Sequence, residues 1–172
     1  AVAVAAEYWH SVAVRSDGTL CAWGMNLQGQ LGDGSATVRL TPVAVSGLSG
    51  VMCIAGGYNH SLAVKSDGTV FACGWNVFGQ LGEGKTTTKV KPVAVKGISF
   101  LMTIAAGHYH SLAANSDGNV WAWGYNYYGQ LGDSTTTNRN SPVDVPGTSG
   151  ATAIGAGGGH TCAIVSGGVK CW

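Results

Sequence analysis

Histidine is the most regularly placed reactive side chain in this sequence. His10, His60, His110 and His160 recur every 50 residues, and each is followed by Ser or Thr. A ring of imidazoles would suit a transition metal, whereas an imidazole held at the start of a strand suits a hydrogen bond to the backbone of a turn. Because the register with Ser or Thr is constant, we expect these histidines to be structural and predict no metal site.

Charged residues form a second repeated pattern. An acidic residue precedes a basic residue by six positions in three successive units: Asp33 and Arg39, Glu83 and Lys89, and Asp133 and Arg139. The constant spacing predicts a salt bridge across one loop of each unit. Exposed pairs of this kind contribute about 0–1 kcal/mol, so we expect a structural role for them.

The sequence does not favour an enzyme. A catalytic triad needs one Ser, one His and one Asp that converge once, whereas these residue types recur here from unit to unit. The many glycines fit turns, so we expect no phosphate-binding loop, no catalytic residue and no cofactor.

The five cysteines lack the spacing of a zinc site. A two-residue turn at Ser166-Gly167 would place Cys162 opposite Cys171 on neighbouring strands, where a disulfide can form. That bridge would indicate an oxidising compartment and favour a secreted or cell-surface protein; two free thiols are the alternative. The other cysteines are expected to be free thiols in the core: Cys21, Cys53 and Cys73.

These residues belong to a repeat of 50 residues. The phrase Trp-Gly-x-Asn-x-x-Gly-Gln-Leu-Gly occurs at 23–32 and 123–132, and it recurs at 73–82 with Cys in place of Trp. A period of roughly 20–50 residues indicates a solenoid or a propeller. We expect a single domain, 1–172, composed of the following repeats: about 1–50, 51–100 and 101–150, and a partial one at 151–172.

Each repeat is predicted to form four short strands. Those of the second repeat are expected at Val51 to Ala55, His60 to Lys65, Thr69 to Cys73, and a Pro-Val-x-Val strand that begins at Pro92. Asp-Gly between the second and third strands predicts a type I′ turn, and a proline at a strand start suits an outer edge. Small residues fill the first strand and bulky ones the next two, as the taper of a radial sheet requires. The fold class is therefore all-β, a β-propeller.

The third repeat reads Gly-x-x-His-Ser-Leu-Ala-x-x-Ser-Asp-Gly-x-Val-x-Ala-Trp-Gly-x-Asn-x-x-Gly-Gln-Leu-Gly-Asp. This pattern resembles the regulator of chromosome condensation repeat family over essentially the whole chain. The resemblance implies blades of four antiparallel strands, seven to the ring in the best-known members. It does not imply one activity, because the family includes a nucleotide exchange factor, a plant ultraviolet photoreceptor, a bacterial β-lactamase inhibitor and scaffold modules.

The number of blades raises a question of assembly. The repeats amount to three full blades plus most of a fourth, which is half of a ring or a fragment of one. Open blade faces and unpaired edges favour association. We expect either a piece of a longer propeller or self-association, in which a symmetric pair would supply about eight blades.

The loops at one end of the blades are the predicted binding site. In a four-stranded meander, the connections from strand one to two and from strand three to four emerge on the same face, and here they are aromatic and vary between repeats. The opposite face has small, polar, uniform turns. The predicted partner-binding residues are Tyr8, Trp9, Met25, Leu27, Tyr58, Asn59, Trp75, Phe78, His108, Tyr109, Tyr125, Tyr127 and Tyr128.

Composition narrows the class of partner. Charged residues make up 10% of the chain and the net charge is +1, so we expect no nucleic-acid partner. No apolar run approaches the ~18 residues of a membrane span. We predict a non-catalytic scaffold that binds a protein; the alternative is a purely structural repeat segment. A small-GTPase exchange factor is a remote alternative that the family resemblance implies, although no insertion interrupts the repeat.

Overall fold

The computed structural model describes the backbone from Ala1 to Trp172 and every side chain except that of Glu7. The described residues form four antiparallel sheets, in each of which the strands pair in chain order. The first sheet comprises β1 (Ala3–Glu7), β2 (His10–Val14), β3 (Leu20–Gly24) and β4 (Arg39–Ala44). The second comprises β5 (Val51–Gly56), β6 (His60–Lys65), β7 (Val70–Gly74) and β8 (Lys89–Ala94). The third comprises β9 (Leu101–Ala106), β10 (His110–Asn115), β11 (Val120–Gly124) and β12 (Arg139–Asp144), and the fourth β13 (Ala151–Ala156), β14 (Thr161–Val165) and β15 (Gly168–Cys171).

The four sheets are the blades of a partial β-propeller, which confirms the predicted fold class. The innermost strands β1, β5, β9 and β13 contact one another in succession. Small side chains line the hollow between them, among them Ala5, Ala55, Ala105 and Ala156. No helix of membrane-spanning length and hydropathy occurs among the described residues.

Hydrophobic packing joins each blade to the next. Between the first two blades, Val14 and Leu20 pack against Ile54 and Ala63. Further clusters of the same kind join the second blade to the third and the third to the fourth. Because a neighbour covers each face of an inner blade, its strands are apolar on both sides.

The Asp-Gly turns differ from the predicted type I′ geometry. Gly18 has φ +75°, but Asp17 is not among the residues with positive φ, so the loop is a type I turn followed by a left-handed glycine. The Asp17 carboxylate accepts hydrogen bonds from the Thr19 backbone N–H at 2.9 Å and from its hydroxyl at 2.6 Å, which holds the turn in this form. Only the last hairpin, with Ser166 at φ +53° and Gly167 at φ +76°, has both central residues left-handed.

The outer strands also differ from the prediction, because their prolines do not begin them. Pro92 is the fourth residue of β8. The pairing of β7 with β8 is irregular there: Ala72 lies opposite Val93 and Gly74 opposite Lys89, so β8 bulges between those positions. The bulge on an outer edge tolerates a residue without an N–H donor. The third strand also begins one residue later than predicted, at Val70.

Candidate functional site

Ten rings from the loops of three blades form one continuous cluster. Each ring centroid lies 4.6–6.4 Å from at least one neighbouring centroid. We call this cluster the aromatic face; its members are Tyr8, Trp9, Tyr58, Trp75, Phe78, His108, Tyr109, Tyr125, Tyr127 and Tyr128. The rings come from the turns between first and second strands and from the loops between third and fourth strands, so the two loop sets meet on one side of the propeller.

Tyr109 is the hub of the aromatic face. Its ring centroid lies 5.2 Å from that of Trp75, 5.6 Å from those of Phe78 and Tyr58, and 6.2 Å from that of Tyr125. These pairs are tilted or edge-to-face, which is the favoured arrangement of aromatic quadrupoles. Burial and the neighbouring Tyr58 raise the pKa of the Tyr109 phenol, so its hydroxyl stays protonated and able to donate.

The aromatic face is open to solvent. Tyr8, Trp9, Tyr127 and Tyr128 are 51–70% exposed. The other six rings are half-buried, and none of the ten is sealed in the core. Rings that support one another from the side and keep a free surface form a firm platform, because little rotamer freedom is left to lose on binding.

Three predicted site residues lie outside the ring cluster. Leu27 is 61% exposed and Met25 is half-buried, both in the corresponding loop of the first blade. The amide oxygen of Asn59 accepts a hydrogen bond from Gln30 Nε2 at 3.2 Å. Asn59 therefore has a structural partner in the preceding blade.

The loop that carries three of the tyrosines is built around Asn126, which is fully buried. Its amide nitrogen donates to the Asp133 carboxylate and to the backbone oxygens of Thr135 and Thr137 at 3.0–3.1 Å, while its amide oxygen accepts from the Leu131 N–H at 3.0 Å. The Asn126 side chain thus supplies hydrogen bonds that regular secondary structure would otherwise provide across the loop. Asn26 and Asn76 occupy the same position in the first two blades.

Replacing Asn126 by alanine should lower the free energy of unfolding by about 2 kcal/mol, because buried polar groups of the loop lose their partner. Urea denaturation, monitored by tryptophan fluorescence, measures the change in the free energy of unfolding. Asn140→Ala is the matched control: Asn140 is exposed, makes one 3.3 Å bond to Gly84 O, and should change stability by less than about 0.5 kcal/mol. Equal effects of the two variants would contradict the assigned role of Asn126.

A glycine lets the two loop sets of a blade meet. Gly124 follows Trp123 and has φ +104°, and a Cβ there would come within 2.6 Å of the Tyr109 backbone oxygen. The next residue, Tyr125, donates its backbone N–H to that oxygen at 2.9 Å. Gly124 therefore allows the close approach that places Tyr125 beside the hub residue Tyr109.

The predicted salt bridges are confirmed. The ion-pair distances are 2.7 Å for Asp33–Arg39, 3.2 Å for Glu83–Lys89 and 2.7 Å for Asp133–Arg139. Burial alone would raise the pKa of Asp133, but hydrogen bonds from Thr135 and Arg139 outweigh it and lower that pKa. The pairs close the same loops that the buried asparagines organise.

His10, His60 and His110 are buried and structural, but their predicted partner was wrong; His160 is exposed. Instead of turn backbone, the Nε2 atom of His60 bonds the hydroxyl of Ser111 in the next blade at 2.9 Å. That hydroxyl donates to the Gln80 backbone oxygen at 2.8 Å, so it must accept from a protonated Nε2. Nδ1 of His60 is buried without a partner, and burial lowers the pKa of His60 to about 3.

Cys162 and Cys171 face each other in the predicted register and are joined by a disulfide. Cys21, Cys53 and Cys73 are free. Burial raises the pKa of Cys73 to about 12, which makes its thiol unreactive. No group of His, Cys, Asp and Glu suited to a metal ion occurs among the described residues.

One motif was overlooked in the sequence. Residues 79–86 match the letters of a phosphate-binding loop, Gly-x-x-x-x-Gly-Lys-Thr. The segment connects β7 to β8 and no helix follows it in the described chain, while Gln80 and Leu81 are buried and Glu83 pairs with Lys89. Since a phosphate site of this type needs a strand, the loop and a helix N-terminus, the match is coincidental.

A groove beside the aromatic face was also missed. It lies between the outer loops of the second and third blades and is lined by Val77, Phe78, Thr86, Asn138 and Ser141. Its walls are about 60 residues apart in the chain, so only the packing of the two blades reveals it.

The chain matches the family model described as the Regulator of chromosome condensation (RCC1) repeat over residues 17–64, 67–114 and 117–164. A second model with the same description matches 1–30, 53–80 and 103–130. No curated protein sequence matches the chain significantly.

Solved structures show the same fold. The crystal structure of human WBSCR16 is 25% identical with a TM-score of 0.87, and the match covers 98% of this chain and 46% of that one. Yeast RCC1 (Prp20), solved with Kap60 bound, is 26% identical with a TM-score of 0.83 and coverages of 99% and 43%. Prp20p from Saccharomyces cerevisiae, described with its binding to Gsp1p and histones, is 24% identical with a TM-score of 0.78 and coverages of 91% and 41%. The chain therefore spans less than half the length of these structures.

Proposed function

The chain belongs to the Regulator of chromosome condensation (RCC1) repeat family, and we propose that within it this protein is a non-catalytic module that binds a protein partner through the aromatic face. The observation that carries the proposal is the continuity of that face. Ten rings from different loops of three blades touch in one cluster, and four of them are more than half exposed.

The chemistry of the aromatic face suits a protein partner. Tyr and Trp supply large contact areas with few rotamers to freeze and dominate binding hot spots. The phenol and indole groups add hydrogen-bond donors at the rim of an apolar surface. Such rings bind mainly through apolar and aromatic contacts, so we expect affinity that depends little on salt.

Relatives support a binding role without identifying the partner. Prp20 has been solved with Kap60 bound and described with its binding to Gsp1p and histones. A member of this family thus binds more than one protein. This chain shares the fold, and its own loops determine what it binds.

Replacing Tyr58, Trp75, Tyr109 and Tyr128 together by alanine should lower the capture of the partner more than about 100-fold, because each hot-spot ring contributes about 1–2 kcal/mol or more. Immobilised wild type and variant are compared by quantitative mass spectrometry of the proteins that each retains, after circular dichroism has shown that both are folded. Phe100→Ala is the matched control, since this exposed ring (77%) lies in a link on the opposite side of the propeller; it should retain the partner.

A second variant removes only exposed rings, so we expect it to fold like the wild type. Trp9→Ser, Tyr127→Ser and Tyr128→Ser combined should weaken capture about tenfold or more at unchanged melting temperature. Full capture by both aromatic variants would contradict the proposal, as would an equal loss in Phe100→Ala.

A further inference from the structure

The second blade holds one of its own cations over an aromatic ring. The Lys65 ammonium lies 5.9 Å from the centroid of the Phe71 ring and 2.9 Å from a carboxylate oxygen of Asp67. A cation at this distance is attracted by the negative face of the ring. The ring, the carboxylate and the ammonium of this blade are therefore partners of one another.

The third blade keeps the ring and the carboxylate but lacks the cation. The same three positions recur 50 residues later as Asn115, Asp117 and Trp121. The Asn115 amide oxygen accepts from the backbone N–H groups of Asp117 and Asn119 at 3.1 and 3.0 Å, so this side chain holds the turn and supplies no charge. The ring at the third position is now an indole, which attracts a cation more strongly than a phenyl ring does.

A further carboxylate distinguishes the third blade from the first two. Asp144 lies directly opposite Trp121 in the register of β11 and β12, and such neighbours project to the same face of a sheet. The equivalent residues of the first two blades are Ala44 and Ala94. Asp117 and Asp144 are both exposed, and no ion pair joins either of them to a cation among the described side chains.

Trp121 and Asp144 line one open pocket of about 350 Å³, together with Asn119 and Gly147. Trp121 is half-buried and packs against the core between the second and third blades, so its ring is held in place and still reaches solvent. At the margin of the pocket, Lys170 donates to the Gly147 backbone oxygen at 2.8 Å. This lysine is thus engaged with the backbone and not with a carboxylate.

We propose that this pocket binds a guanidinium group, as the arginine side chain of a peptide presents it. The bound group would lie over the Trp121 ring and pair with Asp144 and Asp117, in the place that the Lys65 ammonium takes in the second blade. A guanidinium is planar, stacks on an indole, donates to carboxylates in pairs of hydrogen bonds and is more weakly hydrated than an ammonium.

The pocket and the aromatic face lie on opposite sides of the propeller. The pocket is formed beside the turn between β10 and β11 and the link from β12 to β13, whereas the aromatic face is formed by the alternate connections. Binding of a guanidinium group therefore goes beyond the proposed function and does not depend on it.

The test is an NMR titration of the isotope-labelled 172-residue chain with N-acetyl-arginine amide at low salt. We expect saturable shifts of the Trp121 indole N–H and of the Asn119 backbone amide, with a Kd in the millimolar range because one side chain makes few contacts. N-acetyl-citrulline amide has nearly the same shape without the charge and should give no saturable shift. Equal shifts with the two compounds, or none with the arginine compound, would overturn the proposal.

Asp144→Asn should raise the Kd about three- to fivefold, because an exposed ion pair is lost. Asp17→Asn is the matched control, since Asp17 is also exposed and the first blade has Cys21 in place of the ring; this variant should bind like the wild type. Circular dichroism should show both variants folded. An unchanged Kd in Asp144→Asn would contradict the assigned ion pair and with it the site.

A double variant, Asn115→Lys with Asn119→Thr, gives the third blade the cation and the turn of the second. In that turn, the Asp67 carboxylate accepts from the Thr69 backbone N–H and hydroxyl, so the hairpin should keep its form. The new lysine should occupy the place over Trp121 and abolish the shifts caused by N-acetyl-arginine amide. Undiminished binding in this variant would show that the ligand contacts another part of the chain.

Discussion

Acidification from pH 7 to pH 4 should remove most of the stability of this protein. Burial lowers the pKa of His10 and His110 to about 4 and that of His60 to about 3, from 6.5 in the unfolded chain. Below pH 6.5 these histidines are therefore protonated in the unfolded state but still neutral in the folded state. Stability then falls as the pH falls, until the pH reaches the folded-state pKa. At 1.36 kcal/mol per pKa unit, each histidine costs about 3 kcal/mol at pH 4.

Three histidines together approach the total stability of a typical domain, about 5–15 kcal/mol. The structural cause is the unpartnered Nδ1 of each ring, which would become a buried donor without an acceptor on protonation. Urea denaturation at intervals between pH 7 and pH 4 measures the slope of the free energy of unfolding against pH. His60→Gln keeps an N–H donor for Ser111 and should flatten the slope by about one third, whereas a stability that is constant from pH 7 to pH 5 would show that the imidazoles are not buried as described.

Exchange of the residue types at two equivalent positions, Trp123 and Cys73, should lower stability in both cases, for opposite reasons. Trp123 is fully buried and donates its indole N–H to Gln80 O at 2.8 Å. Trp123→Cys should cost about 3 kcal/mol through the lost contacts and the cavity left behind. For a chain of this length, the melting temperature should fall by roughly 6–12 °C.

Cys73 holds the same position between the first two blades, and a cavity lined by Leu31, Ile54 and Phe71 lies beside it. Its thiol lies 3.5 Å from Gln30 O, the acceptor that a tryptophan would use. That cavity measures only about 20 Å³, far less than an indole ring requires, so Cys73→Trp should overpack the first junction and lower stability by about 1–3 kcal/mol. Calorimetry measures the melting temperature of both variants, and a stabilised Cys73→Trp would show that the first junction opens to the width of the second.

Much of the fold could be predicted from the sequence because the repeat is nearly periodic. The phrase around Trp123 to Gly132 and the turn residues placed the first three strands of the second repeat to within one position, whereas the fourth begins three residues earlier than predicted. The predictions failed where a side chain acts on local backbone: the Asp17 carboxylate selects a type I turn, and the bulge in β8 places Pro92 inside a strand. Neither the turn type nor the bulge can be predicted from a hydrophobic pattern.

The sequence predicts which loops form the candidate site but not how their side chains contact one another. Alternating connections of a meander assign Tyr58 and Trp75 to one side of the propeller. The hub position of Tyr109 and the groove beside Phe78 depend on the angle and spacing between neighbouring blades. For the same reason the sequence did not reveal that the hydroxyl beside one histidine is the partner of the previous one, 51 residues earlier.

The central claim is that the aromatic face contacts a protein partner, and site-specific photo-crosslinking tests it most directly. A benzophenone side chain replaces Tyr128 in one sample and Phe100 in another, because the two rings are similarly exposed, at 70% and 77%, on opposite sides. We predict a covalent complex with one partner protein from position 128 and none from position 100. Crosslinking of the partner from position 100 and not from position 128 would contradict the account.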